Sequence, residues 1–431
     1  MQEFDTSKQE RREIEAALTA RPAEALAEVE GVVRDILADV RKRGDDAVVE
    51  YTRRFDWPEA SASTLEVPQS ELIRTHGTMD AAALDAPRKA AENITVFHRA
   101  EMGQLQSWMK STGPGRILGQ VIQPVKRVGI YVPGGKAFYP STVLMTAIPA
   151  RVAGVEEIVL CTPAGKDGDL HPLIKALACE HVDRVFKIGG AQAIGAMAYG
   201  TSTVPRVDVI VGPGNDYVNI AKRMVYGEVG IDMLAGPSEV AIIADELANP
   251  AYVAADLLAQ TEHGPENRGV LISSSAKLLD ACKVEIGRQR GKLSRQEILR
   301  ASDANLLFIK ATSLGEAVEL SNVLAPEHLE LCVAEPLSIL GSIRNAGAVL
   351  LGENTSAPAG DYIAGPSHTL PTAGTARFSS PLSCDTFLKR SSVLYHDAAT
   401  AATLAADIAA FATAEGFDAH AAAALLRGTR Q

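Results

Sequence analysis

Between Glu10 and about Phe55, apolar residues recur three and four positions apart with charges between them: Ile14, Ala17 and Leu18, then Val29, Val32, Val33, Ile36 and Leu37. That spacing lines one face of amphipathic helices, and Pro22 separates a short arm from a longer helix. A further helical stretch runs from about Ala81 to Glu101, and Gly113 to Gly115 mark a turn beyond it. The pattern then changes. Short β-rich runs at Val128 to Val132, Glu157 to Thr162, Arg184 to Ile188 and Val207 to Val211 alternate with helical stretches at Ser141 to Ala153, Leu170 to His181 and Gln192 to Tyr199. This alternation predicts parallel βαβ units with right-handed crossovers. A second series, near Glu239 to Ile243, Gly269 to Ser273, Leu306 to Ala311 and Ala348 to Leu351, repeats it. Two open α/β domains of similar build are expected, compatible with an internal duplication. The tail from Ala398 to Leu426 is Ala-rich, with Leu404, Ile408 and Phe411 as apolar points, and is broken by Gly416 and restarted with Asp418 as N-cap. So little charge suits either a surface helix pair or packing on a partner subunit.

Composition narrows the function classes. At 431 residues, 46% hydrophobic and 22% charged, the chain is long enough for more than one core and far from the make-up of disorder. Its 42 basic against 53 acidic residues leave a formal charge of −11, which argues against nucleic acid as a partner. Five scattered cysteines without a CxxC pair suggest neither a disulfide framework nor a thiolate zinc site. The charged first twelve residues lack the apolar core of a secretion signal, and no run approaches about 18 apolar residues, so a cytoplasmic protein with no membrane partner is expected.

Gly-rich turns follow three predicted strands: Pro133-Gly134-Gly135, Gly189-Gly190 and Gly212-Pro213-Gly214-Asn215. Turns at the carboxyl ends of parallel strands are where such sheets bind ligands, though each alone also serves as plain punctuation. Neither GxGxxG nor GxxxxGK[ST] occurs, so a nucleotide is permitted but not required. Gln260 and His263 share a face of the helical stretch Ala254 to His263, as a polar helix end or as metal donors, although Gln is a rare zinc ligand. Glu327 and His328 follow Pro326, which suits the first turn of a helix, and offer two titratable groups with separable roles. Asp361 and His368 lie in a segment too dense in Gly and Pro for regular structure, and His420 lies just inside the last helix. His76, His98, His171, His181 and His396 receive no role.

Together these segments resemble the histidinol dehydrogenase family over essentially the whole chain. The strings are VGIYVPGG from Val128, FKIGGAQAI from Phe186, IVGPGN from Ile210, IDMLAGPSEV from Ile231, QTEHGP from Gln260, APEHLEL from Ala325 and GDYIAGPSHTLPT from Gly360. The resemblance implies an α/β fold of two similar, incomplete Rossmann-like open parallel-sheet domains with small helical segments at both ends. The division expected is a helical arm over 1–24, a domain of 25–128 and 239–380 bearing zinc and the catalytic residues, an NAD-binding domain over 129–238, and a helical dimerisation segment over 381–431. It further implies one zinc ion per subunit on Gln260, His263, Asp361 and, across a homodimer with shared sites, His420. The implied reaction oxidises L-histidinol to L-histidine through the aldehyde with two NAD. His328 would act as general base and Glu327 would activate the water that adds to the aldehyde. Substrate contacts carry over to Ser238, Gln260, His263, His328, Asp361, His368, Glu415 and His420, and NAD contacts to Tyr131, Gln192 and Asn215. Two departures stand out: Ser367 precedes His368 where many relatives have Asn, and the segment before Ile231 is a few residues shorter than in some members. The alternative is a dehydrogenase of the same family acting on another small alcohol, such as a dihydroxypropane sulfonate.

Overall fold

The computed structural model describes residues 1–20, 26–134 and 138–428. The break expected at Pro22 and the last glycine of the Pro133-Gly134-Gly135 turn lie outside the described residues. In chain order the strands are β1 (Gln2–Asp5), β2 (Trp108–Gly113), β3 (Arg116–Pro124), β4 (Arg127–Tyr131), β5 (Glu157–Thr162), β6 (Arg184–Lys187), β7 (Val209–Val211), β8 (Gly230–Ile231), β9 (Glu239–Ala244), β10 (Arg268–Ser273), β11 (Leu306–Lys310), β12 (His328–Cys332), β13 (Ala348–Leu351) and β14 (Leu388–His396).

Two parallel sheets organise the α/β fold, ordered β6-β5-β4-β7-β8 and β1-β11-β10-β9-β12-β13. Leaving β1 aside, each series is arranged third-second-first-fourth-fifth, the order of a mononucleotide-binding half extended by two strands. In each, the order reverses between the first and fourth members, β4 against β7 and β9 against β12. Alternate residues of the strands enter different cores. Val128, Ile130, Ile158 and Leu160 face one side of the first sheet, while Tyr131, Val159, Cys161 and Ile210 face the other. Strands buried on both faces explain the near-continuous apolar runs.

Packing regroups the chain relative to the expected division. Val33, Ile36, Leu37 and Val48, from the helices Leu26–Arg43 and Asp45–Phe55, share a core with Ile188, Ala191 and Ile194. Leu84, Ala90 and Ile94 of helix Ala81–Met102 share the opposite core with Val143 and Leu144 of helix Pro140–Ala153. Residues 26–102 therefore clothe the first sheet, not the sheet of residues 239–351 with which they were grouped. The arm packs the other way, burying Ile14 and Leu18 against Ala241, Ile243, Leu307 and Ile309 of the second sheet. Amphipathic spacing shows that a helix has an apolar face but not which sheet receives it.

Five further corrections are local. The arm opens with β1, a strand parallel to β11, where only helix was expected. Its four residues carry no apolar period, and pairing alone makes them a strand. A third sheet, antiparallel β14-β3-β2, was not expected at all; its strands are mostly exposed and lack the buried face that leaves a pattern. His328 opens the buried strand β12 rather than a helix, because it pairs with Val240 of β9 and Ala348 of β13. Asp361, expected in irregular chain, sits in the short helix Ala357–Tyr362. The closing hairpin comprises helices Ala398–Ala414 and Asp418–Gly428, with Asp418 in the first turn rather than before it.

Candidate active site

The switch point of the second sheet gathers the titratable residues at the amino ends of its strands, the opposite edge from the one expected. Glu239 is the first residue of β9 and His328 the first of β12. The helix Pro250–Thr261 runs back from the far end of β9 and delivers Gln260 in its last turn, with His263 just past its cap. Across from this edge stands the carboxyl end of the first sheet. Thr142, in the first turn of helix Pro140–Ala153, donates to His368 Nε2 (3.1 Å), and Ser367 Oγ donates to the Met145 carbonyl (3.0 Å).

A chain of ionisable groups runs through the site. The Glu239 main-chain N–H donates to Glu327 Oε2 (2.9 Å), which lies 3.9 Å from His328 Nδ1, and His328 Nε2 lies 3.2 Å from Asp361 Oδ1. Glu327 and His328 are both buried. Burial pushes the Glu327 carboxyl up to about 7, against the opposing pull of the His328 charge and the Glu239 N–H. For His328 burial acts downward, but the Asp361 hydrogen bond and the negative charges of Glu327 and Asp361 outweigh it, and the imidazole is pushed up to about 9. Asp361 is also desolvated, yet the His328 bond and the charges of His328, His368 and His263 hold it below the usual carboxylate range. Burial, with His328 and His263 nearby, lowers His368. Its Nδ1 donates to the Asp361 carbonyl (2.9 Å), so the neutral ring presents Nε2 as an acceptor, which the Thr142 hydroxyl uses.

The structure thus brings Glu327, His328, Asp361, His368 and His263 into one electrostatic neighbourhood, with Gln260 one helical turn before His263. Ser238 lies beside it, immediately before β9, its N–H held by Asn267 Oδ1 (3.1 Å). Glu239 and Asn267 are supporting residues that the sequence reading passed over, although Glu239 stands inside the string IDMLAGPSEV. Glu415 and His420 are exposed on the terminal hairpin, where His420 stacks near Phe417 with ring centroids 5.3 Å apart. Neither forms a hydrogen bond or ion pair with Asp361 or His328 among the described residues.

Among the described residues, the one cluster of three His, Cys or acidic side chains tight enough for a metal is elsewhere: His98, Glu101 and Cys384. There His98 Nδ1 already lies 2.7 Å from Glu101 Oε2, which also accepts the Cys384 N–H (3.0 Å). That bond ties helix Ala81–Met102 to the turn Cys384–Phe387.

The glycine turns of the first sheet form the facing edge. Tyr131 ends β4 and its hydroxyl accepts the Gly190 N–H (3.0 Å), while Asp56 Oδ2 accepts the Gly189 N–H (2.9 Å); burial pushes Asp56 up to about 6. Protein groups therefore take two of the amides at the start of helix Gly190–Tyr199, which follows β6, the third strand of the series. Gln192 is buried with Nε2 unpartnered among the described residues, and Asn215 caps helix Asp216–Val225 by accepting the Val218 N–H (3.2 Å). The Gly212 turn is held on both sides. Its N–H donates to Asp232 Oδ2 (2.8 Å), and its carbonyl accepts from Lys222 Nζ (2.9 Å), which forms a fully buried ion pair with Asp232. Gly212 has φ +109, and a Cβ there would lie 2.1 Å from the Tyr131 carbonyl oxygen. Gly212→Ala is expected to lose about 1–3 kcal/mol from backbone strain alone, read as a lower denaturant midpoint; an unchanged midpoint would show that the turn is not constrained.

Comparison with known proteins identifies the family. The family model described as histidinol dehydrogenase matches residues 19–428. Histidinol dehydrogenase of Geobacter sulfurreducens is 50% identical over 408 residues, covering 94% of each chain. That of Moorella thermoacetica is 50% identical over 397 residues, covering 92% of this chain and 93% of its own. The crystal structure of histidinol dehydrogenase from Elizabethkingia anophelis superposes with a TM-score of 0.93 at 34% identity, covering 99% of this chain and 98% of that one. Matched along nearly its entire length in both sequence and fold, the chain belongs to the histidinol dehydrogenase family.

Proposed function

We propose that the protein oxidises L-histidinol to L-histidine through the aldehyde, consuming two NAD, as the last steps of histidine biosynthesis in the cytoplasm. The observation that carries this reading is the chain Glu327–His328–Asp361, buried at its first two members and half-buried at the third, set at one sheet edge opposite the glycine turns of another. Gln260, His263 and Asp361 supply an amide oxygen, an imidazole and a carboxylate to one neighbourhood, a donor set that suits zinc once the partner subunit's His420 completes it. When bound, zinc would orient the substrate's imidazole and amine, and the nicotinamide, held by Tyr131, Gln192 and Asn215, would accept hydride.

The remaining work falls to side chains. His328 takes the alcohol proton at its imidazole. The neutral ring is the form that can do so, and engaging the Asp361 carboxylate elsewhere removes the main attraction that keeps the ring protonated. Glu327, titrating near neutrality, takes a proton from the water that adds to the aldehyde, and His328 serves again as the hydrate is oxidised. Ser238, His368 and the partner subunit's Glu415 hold the substrate's polar groups. A homodimer is supported by the apolar side chains exposed on the antiparallel sheet and the terminal hairpin: Trp108, Met109, Leu394 and Tyr395, then Ile408 and Phe411, the last more than 70% exposed.

The test is the yield of NADH per L-histidinol consumed. Two NADH, abolished by chelation and restored by zinc, are expected. One or none, with turnover of another small alcohol instead, would transfer the assignment to that substrate.

A further inference from the structure

Two carboxyl groups that the reaction does not use lie directly behind the site. Glu330 stands two residues after His328 on β12 and so on the same face of the strand, 1% exposed. That face packs on helix Pro250–Thr261: Cys332 shares a core with Val253, Ala254, Leu257 and Leu258. Asp256 is on the same helix, one turn before Gln260, and 8% exposed.

The bonds around Glu330 reach a third element. Its Oε1 accepts the N–H of Ala357 (2.9 Å), the first residue of the short helix that carries Asp361. Its Oε2 is fully buried, and no N–H or O–H group of the described residues donates to it. The Asp256 carboxyl lies within hydrogen-bonding reach of the Glu330 carboxyl. An ionised carboxylate only accepts, so two ionised groups in that position would repel with nothing between them. Burial and the neighbouring Asp256 charge push Glu330 above the usual carboxylate range, and burial pushes Asp256 the same way.

We propose that Asp256 and Glu330 share one proton and form a positioning clamp, whose O–H···O and N–H···O bonds join the helix bearing Gln260, the strand opening with His328 and the helix bearing Asp361. Neither residue reaches substrate or cofactor; both act through the groups they hold in register. That the clamped elements carry a zinc and proton-transfer site rests on the function proposed above, whereas the shared proton does not. Well-packed apolar residues would fill the same space without the cost of burying acids. The pair's specific contribution is direction, since a hydrogen bond fixes the relative setting of three elements in a way that dispersion contacts do not.

The test compares full-length wild-type protein with Asp256→Asn, Glu330→Gln and Asp256→Leu. In infrared difference spectra at neutral pH, wild type minus Glu330→Gln is expected to show a protonated carboxyl C=O stretch. Wild type minus Asp256→Asn should show the same band lost or displaced, because its partner has changed. A protonated Glu327 cancels in both differences. Absence of that band from both spectra overturns the shared proton.

For the positioning role, zinc affinity is measured by competition with a chromophoric chelator. Asparagine or glutamine supplies a hydrogen to the remaining carboxylate, so both amide variants should stay within about threefold of wild type. Asp256→Leu should bind zinc about 10–100-fold more weakly, the usual scale for groups behind metal ligands. Wild-type affinity in Asp256→Leu, or equal weakening in Asp256→Asn, overturns the clamp. If the leucine variant does not fold, the amide variants and the spectra still decide. Failure of wild type to bind zinc at all would strike the proposed function instead, and leave the spectra to decide the proton.

Discussion

Replacing His328 by Asn is expected to lower turnover of L-histidinol by about 10²–10⁴-fold, the range associated with removing a positioned general base. Asparagine keeps a polar side chain at the start of β12 but cannot take the alcohol proton, so both oxidation steps should fail together. Glu327→Gln should behave differently. Glutamine still accepts the Glu239 N–H, so the strand ends stay in place, and the step from alcohol to aldehyde should survive while oxidation of the aldehyde slows. Rapid mixing should then show a burst of one NADH per site in Glu327→Gln and none in His328→Asn. The pH profile gives the sign independently. Glu327 must be ionised to take a proton from water, so in wild type the aldehyde step should rise as pH increases through about 7, and Glu327→Gln should lose that rise. Turnover by His328→Asn within tenfold of wild type would remove the imidazole from the role assigned to it.

The second large effect concerns the dimer. His263 lies in the electrostatic neighbourhood of Asp361, whereas His420 is exposed on the terminal hairpin and is not bonded to Asp361 in its own chain. If one chain supplies Gln260, His263 and Asp361 and the other supplies His420, His263→Asn and His420→Asn homodimers should each lose at least about 10–100-fold, since removing a ligand costs no less than removing the group behind one. A mixed dimer of the two has one site with both histidines and one with neither. It should therefore recover about half of the native activity per dimer. Co-expression with two affinity tags isolates that species, and its failure to exceed the parents would exclude a site shared in this way.

Which features could be read from the chain depended on whether burial had left a pattern. The apolar runs at Glu157–Thr162 and Glu239–Ala244 were legible because both faces of those strands are covered. The run His328–Cys332 was not, since His, Glu and Cys interrupt the apolar pattern and Pro326 just before it suited the first turn of a helix. Those polar residues are inside only because a site and an acid pair are built there. Residues Trp108–Gly113 gave no signal because one chain alone leaves them largely exposed. The candidate site residues stood in long strings, and of these Glu327, His328, Asp361 and His368 are brought together. Their location at the amino edge of the second sheet was not recoverable, since glycine turns marked only the carboxyl edge of the first. Nor could spacing reveal that Asp361, assigned to a metal, also holds His328.

The strand β1 has a consequence for how the molecule behaves among its own copies. It pairs with Leu306–Lys310, whose sequence Leu-Leu-Phe-Ile-Lys would be an inviting template if its outer row of amides and carbonyls lay open. Gln2-Glu3-Phe4-Asp5 covers that row with a short strand bearing two acidic side chains, at the rim of a molecule already carrying a net charge of −11. Those acids are paired with Lys283, Lys8 and Lys310, so another chain approaching this rim meets closed ion pairs and only four residues of backbone, a poor start for the edge-to-edge pairing from which aggregates grow.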